Sequence, residues 1–267
     1  FFDPKNKAGF LRSLMIRTTS TEEVMIVLQV FHKEDTILFP LLDAVAQEFP
    51  EITSLQYVIN GKANDTLYDQ EIVCYKGQDY ITEVMEALQF RITAKSFYQT
   101  NSLQAYELYK VVRELADLQG DELVYDLYTG TGTIAQFVAQ KAQKVVGVDV
   151  VPDSIDAAKS NAIHNKIDNV FFETGDMKAI FTEEFIERHG KASVVITDPP
   201  RDGMHKDVVQ QLLDLSPDRI VYVSCNSATQ ARDLSLMKEQ YRLVASQAVD
   251  MFPQTHHVEN VVLLQKI

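Results

Sequence analysis

The chain has 267 residues, 46% of them hydrophobic and 24% charged, and a formal net charge of −13. That length and composition suit a globular protein with one large core or two smaller ones. No apolar run approaches the roughly 20 residues a membrane span needs, and no low-complexity tract or solenoid-period repeat is present. The acidic balance argues against a strong nonspecific grip on nucleic acid by this chain alone, because neutralising phosphates takes basic surface. It leaves room for a local basic groove, or for a basic domain elsewhere in a longer protein. The two cysteines, Cys74 and Cys225, form neither a disulfide framework nor a zinc or iron–sulfur ligand set. They point to reduced thiols in a cytoplasmic protein without a metal.

Residues 1–92 read as a mixed α+β domain. Glu23–Phe31 is a β-rich apolar run, Thr36–Phe49 has helical spacing, and Leu55–Ile59, Glu71–Tyr75 and Tyr80–Ile92 read as strands, with a turn at Asn60-Gly61. The polar, aromatic stretch Thr93–Asn101 marks the domain boundary, and residues 93–267 form the second domain. A helix capped by Ser102 runs to Leu118 and ends at Gly120. Strands follow at Glu122–Tyr128, Lys144–Val150, Val170–Glu173, Ser193–Thr197, Arg219–Ser224, Leu243–Met251 and Glu259–Leu264. Helices fill the intervals at Thr133–Lys141, Ser154–Asn165, Glu183–His189, Lys206–Leu213 and Thr229–Glu239. Such alternation predicts an α/β, Rossmann-like domain with a mostly parallel sheet covered on both faces. The last two strands lack a helix between them and are expected to pair antiparallel, closing a seven-stranded sheet.

Gly130-Thr131-Gly132 follows a strand and opens a helix, where backbone can approach a ligand closely. Asp149 ends the next strand, placed to accept from ribose hydroxyls in the crevice beyond the strand ends. The glycine pattern alone also fits a dinucleotide site. Asp126, on the strand before the turn, favours a ligand with a cationic ammonium over a pyrophosphate, which it would repel. Asp198-Pro199-Pro200-Arg201 ends a further strand, with the prolines stiffening the backbone and Asp198 aimed into the crevice. These features favour S-adenosylmethionine. Asp176 ends a third strand, placed for an adenine amino group; a helix cap or a solvated loop acid is the alternative.

Cys225, in Tyr222-Val223-Ser224-Cys225-Asn226, lies at a strand end ahead of a helix that starts near Ser227 or Thr229. A helix N-terminus there is expected to stabilise a thiolate; an inert buried thiol is the bland alternative, and it is the reading for Cys74. His256 and His257 are expected to point apart on an extended chain and not to form a metal pair. Glu259 opens the last strand, either as a base or as an edge carboxylate facing solvent. Cys225 and Glu259 together fit one reaction. Uracil C5 is too weak a nucleophile to take a methyl group directly. A thiolate adding to C6 makes C5 nucleophilic, and after methyl transfer a base must remove the C5 proton so that the thiol can leave.

The series Phe97-Tyr98-Gln99-Thr100-Asn101, Asp126-Leu127-Tyr128-x-Gly130-x-Gly132, Gly147-Val148-Asp149, Asp198-Pro199-Pro200-Arg201, Ser224-Cys225-Asn226 with Ala231-Arg232-Asp233, and His257-Val258-Glu259 resembles the RNA uracil-C5 methyltransferases, which make 5-methyluridine in transfer or ribosomal RNA. The resemblance implies Cys225 as nucleophile and Glu259 as base. It implies Gln99, Tyr128, Gly130, Asp149, Asp176 and Asp198 as cofactor or substrate-pocket residues, with Phe97 and Gln99 bordering a flipped-out base. Two positions depart from the pattern: Asp149 stands where a glutamate is frequent, and Ser227 where a proline is common. The expected substrate is RNA, ribosomal (23S rRNA) before transfer RNA, with methylation of another base atom as a further alternative. The expected protein is a monomer. The acidic charge and the missing initiator methionine fit a piece lacking an N-terminal RNA-binding barrel, and the first domain would help hold the RNA.

Overall fold

The inner strand positions of the first unit are apolar on one face, and a single helix covers them. Residues 1–267 are described by a computed structural model, which divides into two units, Phe1–Ser96 and Phe97–Ile267. The division falls after the Thr93–Ser96 turn, closed by Ser96 N–H to the Thr93 carbonyl at 3.1 Å, four residues beyond the position expected from the sequence.

In the first unit, β1 (Leu11–Thr18), β2 (Val24–Val30), β3 (Ser54–Ile59) and β4 (Ile72–Gly77) form a sheet in that order. Strands β2 and β3 run parallel, joined by α1 (Asp35–Glu48). Leu28, Val30, Leu38, Leu42, Leu55 and Tyr57 make its buried cluster. Strand β1 was not anticipated. Its alternation is inverted: Leu14 and Ile16 are exposed, while half-buried Arg17 donates to the Ser96 carbonyl at 2.7 Å. The single strand expected over residues 80–92 is a hairpin, β5 (Tyr80–Met85) and β6 (Leu88–Thr93). Its turn carries Glu86 at φ 53°, a left-handed conformation that a glutamate does not advertise.

In the second unit, α2 (Ser102–Ala116) is capped by Asn101, whose side chain accepts from the Gln104 N–H at 3.2 Å. Ser102 is therefore the first helical residue and not the cap. The helix stops at Asp117, left-handed at φ 45°, three residues before Gly120. Then come β7 (Leu123–Leu127), α3 (Thr133–Ala139), β8 (Lys144–Asp149), α4 (Pro152–His164), β9 (Val170–Thr174), α5 (Glu183–His189), β10 (Val194–Thr197), α6 (Lys206–Leu215), β11 (Arg219–Ser224), α7 (Ser227–Met237), β12 (Tyr241–Val249) and β13 (Glu259–Lys266).

The sheet order is β12-β13-β11-β10-β7-β8-β9. Strands β7 to β11 are parallel, and β13 is antiparallel to both β11 and β12. The central strands are mostly apolar, as burial on both faces requires: Val124, Val145, Val194, Val195, Ile220 and Val221 are fully buried. The carboxyl ends of the parallel strands and the amino end of β13 consequently share one rim, where loops carry the charged side chains.

Candidate active site

At the end of β7 the chain turns through three left-handed residues, Tyr128 (φ 61°), Gly130 (φ 55°) and Gly132 (φ 75°). A tyrosine in that region is strained, a feature that concentrates at ligand sites. The glycines differ in need. A Cβ on Gly132 would lie 2.5 Å from the Phe172 ring and 2.9 Å from the Ala158 Cβ, whereas one on Gly130 would meet nothing within 4 Å. Gly132 is thus required by packing, and Gly130 leaves its backbone open to a ligand. The Gly130 N–H donates to Asp149 Oδ2 at 2.9 Å, and the Val151 N–H donates to Asp149 Oδ1 at 2.9 Å. Asp149 is so fixed beside the turn.

Beneath the turn, Asp126 is 1% exposed. Thr129 Oγ1 donates to its Oδ2 at 2.5 Å, but its buried Oδ1 has no hydrogen-bond partner. Burial, partly offset by Thr129 and by the Ala135 backbone and reinforced by the charge of Asp149, pushes this carboxyl up to about 7. An orphaned buried carboxylate oxygen is rare and costly, and it fits a site that receives a cationic group. Burial, with the charges of Asp176, Asp233 and Asp149, raises the Tyr128 phenol to about 12, so it stays a neutral donor.

The rim beyond β10, β11 and β13 encloses a cavity of about 520 Å³ lined by Phe97, Gln99, Asp198, Arg201, Cys225 and Glu259, among others. Strand register explains the meeting of Cys225 and Glu259. Ser224 pairs with Asn260 across the antiparallel β11–β13 ladder, so the next step brings Cys225 level with Glu259. Asn101 Nδ2 donates to the Met251 carbonyl at 2.8 Å, which ties the Phe97–Asn101 segment to the loop before β13. Asp198 is anchored by its N–H to the Leu127 carbonyl at 3.3 Å, between the turn and the cavity. Burial, then the charges of Glu259 and Asp126, raise its carboxyl to about 8. Glu259 is raised by burial and held down by Arg201.

The Cys225 thiol is raised, first by burial and then by Glu259. Helix α7 begins two residues later, as expected, with Asn226 as its cap, but it does not dominate: the apolar wall and the facing carboxylate outweigh it. The opposing influence is the charge of Arg201, which lines the same cavity as Cys225 and favours its thiolate. Arg201 drew notice in the sequence only as the residue after the prolines; its role comes from geometry. The Arg201 carbonyl accepts from Asn226 Nδ2 at 3.2 Å and Thr229 Oγ1 at 3.1 Å. Asp233, fully buried, accepts from the Tyr222 hydroxyl at 2.7 Å and the Met204 N–H at 2.8 Å through Oδ2, and from Arg232 through Oδ1. The Arg232-Asp233 pair was legible as a motif but not as a junction of β11, α7 and the loop after β10.

Asp176 is exposed and accepts from the Lys178 N–H at 3.0 Å. It borders a separate cavity with Ala179, Ile180 and Arg188, not the one holding Cys225. Cys74 is exposed on β4 rather than buried. His256 and His257 do not point apart: the chain turns there, with Thr255 N–H bonded to the Phe252 carbonyl, and their rings lie 4.1 Å apart. No group of three or more histidine, cysteine or acidic side chains could hold a metal, and no helix is long and apolar enough to cross a membrane. A cavity of about 640 Å³ in the first unit is lined mainly by apolar side chains, among them Leu14, Ile16, Ile26, Leu42 and Phe49, with Arg12, Ser13 and Glu51.

A family model described as tRNA (uracil-5-)-methyltransferase matches residues 18–267. The chain belongs to that family. A Porphyromonas gingivalis relative named as an uncharacterized RNA methyltransferase is 60% identical over 266 residues, covering 99% of this chain and 57% of the relative. A Clostridium tetani protein of the same description is 40% identical over 270 residues, covering 98% of this chain and 57% of the relative. The crystal structure of Pyrococcus abyssi tRNA (uracil-54, C5)-methyltransferase in complex with S-adenosyl-L-homocysteine matches with a TM-score of 0.82 at 32% identity, over 97% of this chain and 61% of that one. The crystal structure of M. jannaschii tRNA m1G37 methyltransferase shares the fold at a TM-score of 0.58 and 12% identity, over 99% of this chain and 78% of that one. The chain therefore spans under two thirds of the length of the curated relatives it matches most fully.

Proposed function

We propose that this chain is the catalytic portion of an S-adenosylmethionine-dependent enzyme that methylates C5 of a uridine in RNA. The observation that carries the reading is the single cavity shared by Cys225, Glu259 and Asp198, beside a turn whose buried acid lacks a partner on Oδ1. A methyltransferase that acts on nitrogen or oxygen needs neither a nucleophilic thiol nor a base aimed at the same ring.

When bound, S-adenosylmethionine supplies an electrophilic methyl group. The turn fits it: Asp126 would receive its ammonium, Asp149 its ribose hydroxyls, and the open backbone at Gly130 its close approach. Tyr128 and Gln99 would complete the wall, and Asp176 would reach the adenine only if its loop changes the contact it now makes with Lys178. On the substrate side, the Cys225 thiolate adds to C6, which places negative charge on the uracil ring and makes C5 the nucleophile. Phe97, 67% exposed, offers a face on which an extruded base can stack. Glu259 then takes the C5 proton and the Cys225–C6 bond breaks, returning the thiolate. Asp198, protonated near neutral pH by its raised affinity for protons, can donate a hydrogen bond to the ring.

RNA containing 5-fluorouridine tests the scheme, because fluorine at C5 cannot leave as a proton. A covalent protein–RNA adduct is expected, and Cys225→Ala should abolish it. An adduct that persists in the variant would remove Cys225 from the chemistry. Ribosomal RNA is our substrate reading; the name of the Pyrococcus abyssi enzyme favours transfer RNA as the second. Mapping 5-methyluridine in both RNA pools of a deletion strain separates them. In this reading the first unit helps hold the RNA, and photocrosslinks from RNA to residues 1–96 are the corresponding check.

A further inference from the structure

The loop from Asp198 to Met204 bears two of the charged groups that face Cys225, and one face of α7 grips it. Asn226, Thr229, Arg232 and Asp233 recur at the three- and four-residue spacing that stacks side chains along a helix. The first two donate to the Arg201 carbonyl. Arg232 Nη2 donates to the carbonyls of Asp202 at 2.8 Å and Met204 at 3.3 Å. Asp233 accepts the Met204 N–H and ties it to Tyr222 on β11, three residues before the cysteine. The approach is so close that a Cβ on Gly203, at φ 74°, would lie 2.6 Å from Asp233 Oδ2 and 2.8 Å from Arg232. Only glycine passes there. A buried carboxylate with four donors at one junction is a fully satisfied network, the kind that fixes a single geometry.

We propose that the Arg232–Asp233 pair is a positioning device for the nucleophile: by fastening the 198–204 loop to α7 and β11, it holds the Arg201 guanidinium in the cavity that it shares with Cys225. The proposal rests on the reading of Cys225 as nucleophile, and its test does not depend on methyl transfer. The charged groups facing the thiol are Glu259 from β13, and Asp198 and Arg201 from the gripped loop. The first two disfavour the thiolate; Arg201 favours it. Asp198 keeps its own anchor on the Leu127 carbonyl, so a loop that slackens beyond it removes the one stabilising charge, and the thiol becomes harder to ionise.

The experiment measures iodoacetamide alkylation of Cys225 across pH in the full chain, with the exposed Cys74 changed to Ser. Arg232→Met is the main variant, because Arg232 is half exposed at 54% and its loss leaves Asp233 bonded to Tyr222 and Met204. Asp233→Asn is the second. We expect both to move the alkylation midpoint up by about one pH unit, which slows reaction at neutral pH about tenfold. Arg201→Gln should give the same shift, the Arg201→Gln/Arg232→Met double variant no more than either alone, and Arg232→Lys a partial return. A lowered melting temperature with an unmoved midpoint in Arg232→Met means that the pair only stabilises the fold, and overturns the proposal. Shifts that add in the double variant overturn it too. The 5-fluorouridine adduct is scored separately: if the parent forms none while the midpoints move, the nucleophile reading falls and the positioning of Arg201 stands.

Discussion

The Gly130 amide and the Asp149 carboxylate are bonded at 2.9 Å, so the acid that closes β8 is fastened to the turn that closes β7. Two neighbouring strand ends thus behave as one cradle, pinned again by Val151 on the other carboxylate oxygen.

Replacing Asp149 with Ala removes both the ligand contact and the pin. Hydrogen bonds to a charged group contribute about 1.5–3 kcal/mol, so S-adenosylhomocysteine affinity should drop roughly ten- to a hundredfold by calorimetry. A variant that binds as the parent does would take Asp149 out of the cofactor site.

The two turn glycines should separate stability from binding. Gly132→Ala forces a Cβ to 2.5 Å from Phe172 in a left-handed residue, an overpacking and backbone penalty of about 2–4 kcal/mol together. Gly130→Ala has open space and should cost only about 1 kcal/mol. Its larger effect should be on ligand affinity. Urea denaturation with and without S-adenosylhomocysteine distinguishes the two outcomes.

Asp198 gives stability a pH dependence of predictable sign. Burial, with Glu259 and Asp126, pushes its folded carboxyl from the ordinary 3.8 up to about 8, so between those limits the folded state holds more protons than the unfolded one. Stability accordingly falls as pH rises through that window. Asp198→Asn removes the slope: it should match the parent near pH 4 and exceed it by about 1–2 kcal/mol near pH 9, a figure reduced for the water that reaches the cavity. Equal stability of the two proteins at both ends would contradict the raised value. Binding of a cationic ligand beside Asp126, at about 7, should release protons, which calorimetry in buffers of different ionisation enthalpy detects.

Glu259→Gln should stall turnover after methyl transfer. Covalent RNA–protein species are then expected to accumulate on ordinary uridine RNA with S-adenosylmethionine, and turnover to drop by about 10²–10⁴, the usual contribution of a general base. Unimpaired turnover would assign proton removal elsewhere.

Most of the second unit could be read from the chain, because strands buried on both faces and helices between them leave strong periodicities. The antiparallel closure followed from one missing helix between β12 and β13. Strand β1 was hidden because Leu14 and Ile16 face outward while Arg17 turns in, and the 85–88 turn because Glu86 takes a left-handed conformation without glycine or asparagine. At the site, the order of motifs pointed to Cys225, Glu259, Asp198 and Asp149. What the chain could not disclose was the opposition at the thiol: burial and a carboxylate from β13 raise Cys225, and a guanidinium from the loop after β10 holds it down. Asp176 could not be resolved either, since the same aspartate serves a turn through Lys178 or a ligand through its free lone pairs.

Strand β13 is last in sequence but interior in the sheet, lodged between β11 and β12. In a chain emerging in order, Asp126, Gly130 and Asp149 are all made well before Glu259, which completes the rim. A chain cut short before Glu259 would carry the nucleophile with neither its facing carboxylate nor the neighbour that pairs with its strand.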